Sequence, residues 1–452
     1  YPWRFIVTMK LIKFTATSVY GYINFNINFN KDVSFLVGSN GSGKSTVIKL
    51  IQAIFCLNFK DLIIIPFEKI EIAYEDRSKI HKIQAYKDKL SLVIKTDGDN
   101  QLIELPIIPQ ENYLSDEYNS EYYAHAEREL ITNSIYKRIR SVTPPVFLGL
   151  DRKSTGLESE YLDSEISISA RKELYAHRKN ISRKNTSITG SLSEALLSVQ
   201  LILQEQYRKI REFEDRQSTY LRDSILKSSF KFSSFLDFNL SDNQMNWEDK
   251  RDILKRREEI TDAVKKIGSS DKSLISDIGK FFDQIERLFQ NLSQSESLSI
   301  EWLLNKAQID RISEILEVID EYNEKTEKMY RPINNFLQVM NSFFVDSKKK
   351  VEVDTVGRLF ITRTDGKKCS IDILSSGERQ LLVLIANVML NRYTSISRVI
   401  IIDEPEISLH LKWQEKFSET ILAINPETQF ILATHSPDIV GEMTDKCLKV
   451  GV

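Results

Sequence analysis

Two clusters of chemically capable residues lie far apart in this chain. The first is Gly38-Ser39-Asn40-Gly41-Ser42-Gly43-Lys44-Ser45-Thr46, which matches the spacing G-x-x-x-x-G-K-[ST]. Glycines at these positions let backbone N–H groups close around phosphate oxygens. Lys44 can reach the β- and γ-phosphates, and the Ser45 hydroxyl can ligate Mg²⁺. The expected ligand is ATP with Mg²⁺, enclosed by Gly38, Asn40, Gly41, Gly43, Lys44, Ser45 and Thr46. The second cluster comprises LSSGERQ, VIIIDEP and ATHSP, between Leu374 and Pro437.

Ile400-Ile401-Ile402-Asp403-Glu404 is an apolar strand ending in two carboxylates. Asp403 is expected to reach Mg²⁺, and Glu404 to position or deprotonate the attacking water. Adjacent side chains on a strand point opposite ways. The pair must therefore sit where the strand ends and the chain turns, and Pro405 is consistent with that. A surface acidic pair is the plainer reading of DE alone; the phosphate loop upstream argues against it.

Leu374-Ser375-Ser376-Gly377-Glu378 precedes a helix. Ser375 can donate to a γ-phosphate, and Gly377 permits close backbone approach at the helix N-terminus. Simple capping by serine competes with this reading. His435, after the last strand, can hydrogen-bond a γ-phosphate as a neutral imidazole and sense hydrolysis. For His410 and the Ser408 segment, contact with a partner subunit and surface packing both stay open.

The elements that must position these groups show in the hydrophobic periods. Ile23 to Phe29 alternates apolar residues with asparagine, a half-buried strand. Val33 to Val37 is a short strand feeding the glycine loop, and Ser45 to Phe55 has helical spacing. Strands continue over 66–108. TDGDN there reads as a hairpin turn, which explains Asp97 and Asp99 better than a metal pair does. PVFLGLDR (145–152) reads as another strand and loop.

Three segments follow: 9–152 with the phosphate loop, a helical insertion at 153–345, and 346–452 with the second cluster. Helical patterns appear at 191–227, 247–267, 274–292 and 299–344, without a sustained heptad. After Lys348 come the strands KKVEVD, RLFITR and KCSIDI, a helix at 378–391, the strand 399–402, a helix at 411–424 and the strand 429–434. Alternation of strand and helix in this last part argues a mainly parallel sheet.

The chain has 452 residues, formal net charge −2 and 41% hydrophobic residues, an ordinary balance with room for two or three domains. The neutral balance gives no global nucleic-acid signal. The cluster Arg171, Lys172, His177, Arg178, Lys179, Arg183 and Lys184 can track phosphates, but without interleaved aromatics a solvated helix face fits it better. Three scattered cysteines, Cys56, Cys369 and Cys447, imply a reducing, cytoplasmic setting. No apolar run of membrane-spanning length occurs. Met9 opens MKLIKF, so residues 1–8 are set aside as upstream sequence.

The motif order resembles the ABC-type ATPase heads of the SMC, RecF and OLD group, and is similar to the Septu anti-phage defence ATPases, including the retron-associated form. Ser376 and Glu378 replace the glycine and glutamine usual in transporter signatures, and Glu378 is the SMC-like variant. The likeness is strong over residues 11–55 and 370–440. It implies an α/β fold, an ABC-type ATPase head with a mixed sheet split by a helical insertion. It also implies two heads sandwiching two ATP molecules, each site pairing one head's Lys44 with the other's Ser375.

Two departures stand out. The Q-loop glutamine has no clear place: Asp151-Arg152 fills the expected loop, and Gln110 is an earlier candidate. No TOPRIM carboxylates follow His435, so a nuclease output is expected from a separate effector. The functions in play are a defence ATPase controlling such an effector, a RecF-like DNA repair ATPase, and a scaffold that hydrolyses ATP slowly.

Overall fold

In the computed structural model the described residues are 9–107, 128–149, 154–155, 191–229, 252–266, 272–294 and 300–451. Gln110, Asp151, Arg152 and the basic cluster 171–184 lie outside them. The chain divides into two compact units, one of residues 1–204 with 336–452 and one of residues 205–335.

The first unit opens with β1 (Lys10–Val19) and β2 (Ile23–Asn28), a hairpin in which Phe25 and Ile27 are buried while Asn24, Asn26 and Asn28 face out. The asparagine alternation thus marks the solvent side. β3 (Val33–Val37) leads through the glycine loop into α1 (Lys44–Phe55), followed by α2 (Phe59–Ile64). β4 (Lys69–Asp76), β5 (Lys79–Lys87), β6 (Ser91–Thr96) and β7 (Ile103–Pro106) then join β1 and β2 in a six-stranded antiparallel sheet, ordered β2-β1-β4-β5-β6-β7. Asp97 and Asp99 lie in the β6–β7 turn, where Asp99 accepts a hydrogen bond from Ser134 Oγ at 2.8 Å. Turn chemistry accounts for both.

After α3 (Ser134–Ser141), β8 (Val146–Leu148) and the short β9 (Ser154–Thr155) enter a second six-stranded sheet. Its other members lie on both sides of the 205–335 unit in sequence: β3, β13 (Val399–Asp403), β14 (Gln429–Ala433) and β15 (Cys447–Lys449). The order is β15-β3-β14-β13-β8-β9, parallel except for β9. The architecture is therefore mixed α/β, with one antiparallel and one mainly parallel sheet and a helical insertion. β13 and β14 are buried at every position, as parallel strands covered on both faces must be. Ile401 and Ile431 pack with Val47, Ile51 and Ile54 of α1 in one core.

Gln429 joins the two sheets. Its side chain accepts from Leu11 N at 2.8 Å and donates to Leu11 O at 2.8 Å and Asn30 O at 2.6 Å. An amide at the start of an otherwise apolar strand thereby satisfies backbone groups that the ladder leaves open.

The second unit is helical. α4 (Ser191–Ser229), α5 (Arg257–Lys266), α6 (Lys272–Gln294) and α7 (Ile300–Phe343) supply its elements, α4 and α7 extending beyond it. Phe282, Ile285, Phe289, Ile309, Leu316 and Ile319 form its core. Arg256 Nη1 donates to Asp320 at 2.9 Å.

Back in the first unit, β10 (Lys349–Val353), β11 (Leu359–Arg363) and β12 (Lys368–Cys369) make a three-stranded antiparallel sheet. The KCSIDI strand stops at Cys369, because Ser370 caps a 3₁₀ turn over Ile371–Ile373. α8 (Ser376–Leu390), α9 (Arg392–Ser397), α10 (Leu411–Ile424) and α11 (Pro437–Val440) complete the unit. No described helix is long and apolar enough to cross a membrane.

Candidate functional site

Register places the chemistry. Leu36 of β3 pairs with Ala433 of β14, and Ala433 pairs with Asp403 of β13. Three neighbouring parallel strands therefore end in one row. The glycine loop leaves β3, His435 follows β14, and Asp403-Glu404 ends β13. Carboxyl ends of parallel strands are where open α/β sheets bind ligands.

At the loop, Gly43 has φ 93° and is the N-cap of α1, with no side-chain cap. A Cβ there would lie 2.6 Å from the Phe25 ring, so glycine is required by conformation and by space. The first turn of α1 carries no acidic residue. Its open N–H groups and positive dipole end suit a phosphate. Gly38, Asn40 and Gly41 are exposed on the loop, and Ser45 and Thr46 are half-buried at the helix start.

Lys44 is 5% exposed, and its Nζ donates to Gly38 O at 3.0 Å and Ser39 O at 3.3 Å. Burial holds its pKa below the ordinary lysine value, against the pull of Glu404, Asp403 and Glu406. Three carboxylates thus act on the one ammonium group of the loop.

Asp403 is buried at 8% exposure. Glu404 has φ 48°, the left-handed region rare for a side chain this large, and its N–H bonds Ala433 O at 2.8 Å. The chain turns where the sequence requires it to, so the two carboxylates leave the strict alternation of the strand. Ser45 and Asp403 offer hard oxygen donors of the kind Mg²⁺ takes alongside phosphate and water.

Ser375 and Gly377 have different neighbours. Ser375 is exposed and caps α8: its Oγ accepts from Glu378 N at 3.3 Å, while Glu378 Oε2 accepts from Ser375 N at 2.7 Å. The capping reading of Ser375 is therefore realised, on a residue that stays exposed. Gly377 is buried against the loop after the carboxylate pair, where a Cβ would overlap the Ser408 carbonyl oxygen. Ser408 itself has φ 61°. His410 caps α10, its Nδ1 accepting from Lys412 N at 3.3 Å.

Lys349 of β10 pins the start of α8 by pairing with Glu378 at 2.8 Å. Burial alone would raise the Glu378 pKa, but Lys349 and the Ser375 N–H hold it below the usual carboxylate range. A depressed carboxylate contributes stability above its unfolded pKa and loses it as pH falls through the folded one. Lys349→Met is expected to cost about 1–2 kcal/mol, a range discounted for the partial exposure of the lysine. That cost should shrink as pH falls, because a protonated Glu378 no longer gains from the lysine, so the variant's stability depends less on pH across this range. Urea midpoints measured from neutral pH down through the carboxylate range check both effects.

His435 is exposed, and with Gly38 it lines a cleft of about 360 Å³. Its backbone N–H donates to Glu406 Oε1 at 2.7 Å, and Thr434 Oγ1 donates to Glu406 Oε2 at 2.8 Å. Sequence reasoning passed over Glu406; the only signal was a further carboxylate two residues past the DE pair.

The chain matches the AAA ATPase domain family over residues 9–440. It belongs to that family. Within the AAA ATPase domain, residues 9–440 include every motif described above. A relative, "Retron Vc95 probable ATPase" of Vibrio cholerae serotype O1 biovar El Tor, is 24% identical over 473 residues, covering 98% of this chain and 74% of that protein. Among solved structures, the SMC head domain from Thermotoga maritima aligns with TM-score 0.38 and 12% identity over 95% of this chain and 91% of that one. The Smc head domain of Pyrococcus furiosus, with an extended coiled coil and bound to the C-terminal domain of ScpA, aligns with TM-score 0.38 and 13% identity over 96% and 91%.

Proposed function

We propose that this chain is an ATP-hydrolysing, cytoplasmic head that works as a homodimer or higher homo-oligomer and controls a separate effector nuclease in anti-phage defence. The observation that carries the ATPase part is the common row of Leu36, Ala433 and Asp403, which brings the phosphate loop, His435 and the carboxylate pair to one sheet edge. Lys44 and the N-terminus of α1 bind the triphosphate, and Ser45 and Asp403 hold the Mg²⁺ that accompanies it. Mg²⁺ supplies charge neutralisation at the phosphates when bound. Glu404 orients and deprotonates the water, and His435 contacts the γ-phosphate. Ser375 and Gly377 of a second copy close the site, a role that the exposure of Ser375 supports. The defence role draws its support from the retron-associated relative.

The test is ATP turnover with and without double-stranded DNA, using Lys44→Ala as the blank. Removing Lys44 is expected to weaken ATP binding by about 10- to 100-fold, the loss of a charge-assisted contact. Turnover above the blank that ignores DNA, together with co-purification of a nuclease, is the expected result. Strong DNA stimulation would move the assignment to a repair ATPase. Turnover no higher than the blank would remove the hydrolytic role.

A further inference from the structure

We propose that Glu406 is a positioning residue that clamps the His435 segment to the loop beside the start of α8, so that the two move together. The inference rests on the reading of His435 as the γ-phosphate contact.

β14 ends at Ala433, and Ala433 O is taken by Glu404 N. Beyond that point no strand ladder holds the chain. Thr434 N still bonds Leu36 O at 3.1 Å, on the strand that feeds the phosphate loop. From there the Glu406 carboxylate takes over. One oxygen accepts from the buried Thr434 hydroxyl, the other from the His435 N–H. Thr434 Oγ1 in turn accepts from Ser436 N at 3.0 Å. The Ser436 hydroxyl donates to Gln414 Oε1 at 2.7 Å, and Gln414 Nε2 returns to Leu409 O at 2.8 Å. Charge-assisted bonds to both oxygens of one carboxylate fix direction as well as distance. The exposed imidazole is therefore aimed through its backbone.

The same loop faces the start of α8. Ile407 N bonds Glu404 O at 3.2 Å and Leu409 N bonds Glu406 O at 3.0 Å, which makes residues 404–409 a compact turn. Ser408 of that turn leaves no room for a side chain at Gly377. A displacement at the start of α8 has to pass into the turn, and Glu406 is the side chain that hands it to His435. The device is a defined chain of contacts with two readouts, local order and turnover.

Two measurements on the full chain test this. The first is amide hydrogen exchange over residues 432–438 without nucleotide. Glu406→Ala and Thr434→Val are expected to speed exchange there by about tenfold, with the rest of β14 unchanged and Thr434→Ser close to the unaltered chain. The second is steady-state ATP turnover. In both disruptive variants kcat is expected to fall by about tenfold to a hundredfold, a misplacement effect, while KM for ATP stays within about threefold. Thr434→Ser should restore kcat, which a merely apolar packing role would not require.

Unchanged exchange in Glu406→Ala would overturn the clamp. Faster exchange with an unaltered kcat would overturn its bearing on turnover, and a rise in KM in place of the fall in kcat would make Glu406 a binding group. If Glu406→Ala does not fold, the Thr434 pair decides the question. If the unaltered chain turns over no ATP, the ATPase reading fails while exchange still reports on the clamp.

Discussion

Glu404→Gln is expected to keep ATP affinity and to lose turnover by about a thousandfold, within the range for removing a positioned general base. The substitution preserves size, and a glutamine can sit at the φ of 48° that Glu404 already adopts. What it removes is the capacity to take a proton from water. Lys44 and the α1 N-terminus, which hold phosphate, are untouched. The unusual backbone supports the assignment, since left-handed conformations of large residues persist where the surroundings enforce them, and they cluster at functional sites. Here the enforcing contact is the bond from Glu404 N to Ala433 O, with Pro405 preventing an ordinary helical turn. Trapped in the bound state, the variant is also expected to accumulate as an ATP-dependent oligomer by sedimentation. Turnover within tenfold of the unaltered chain would take the base role away from Glu404. Joint loss of binding and turnover would make it a ligand-holding group.

The parts of the site that the sequence displays are those encoded locally. The strand Val33–Val37, the glycine loop and α1 are contiguous, and each step has its own signal: apolar run, glycine spacing, helical period. The carboxylate pair shows because four buried apolar residues, Val399 to Ile402, lead to it. The need for a turn at Glu404 follows from the strand period alone. Glu406 was illegible for the opposite reason. Its partners Thr434 and His435 lie 28 and 29 residues away, and nothing in the pattern of a loop carboxylate tells which distant N–H it will meet. Gln429 is intermediate: an amide opening a buried strand implies a bonding duty, but only the fold shows that Leu11 and Asn30 receive it. Ser375 shows that competing readings need not exclude one another, for a capping serine can still stay exposed. The KCSIDI segment misled because its alternation fits a strand, while Ser370 supplies a cap that ends it.

Gly377→Ala is expected to abolish turnover and to destabilise the first unit by about 1–3 kcal/mol, the cost of overpacking a close contact. The atom in the way is the Ser408 carbonyl oxygen, part of the backbone, so no side-chain rotation relieves the overlap. Either the 404–409 turn retreats or the start of α8 tilts. The tilt is opposed by the Ser375–Glu378 capping box and by the Lys349–Glu378 pair. Retreat of the turn shifts Glu404 and releases the hold of Glu406 on Thr434 and His435. Both routes disturb the sheet edge where hydrolysis is assigned, whereas the Lys44 loop, on a different strand, keeps its nucleotide. Loss of turnover with ATP binding retained, and a lowered urea midpoint, is therefore the expected pattern. Ser376→Ala, one residue earlier and exposed, is expected to stay within about 0.5 kcal/mol of the unaltered chain in stability. A Gly377→Ala chain with unaltered midpoint and turnover would show that the turn yields freely and that the close approach of Ser408 to Gly377 places no demand on the site.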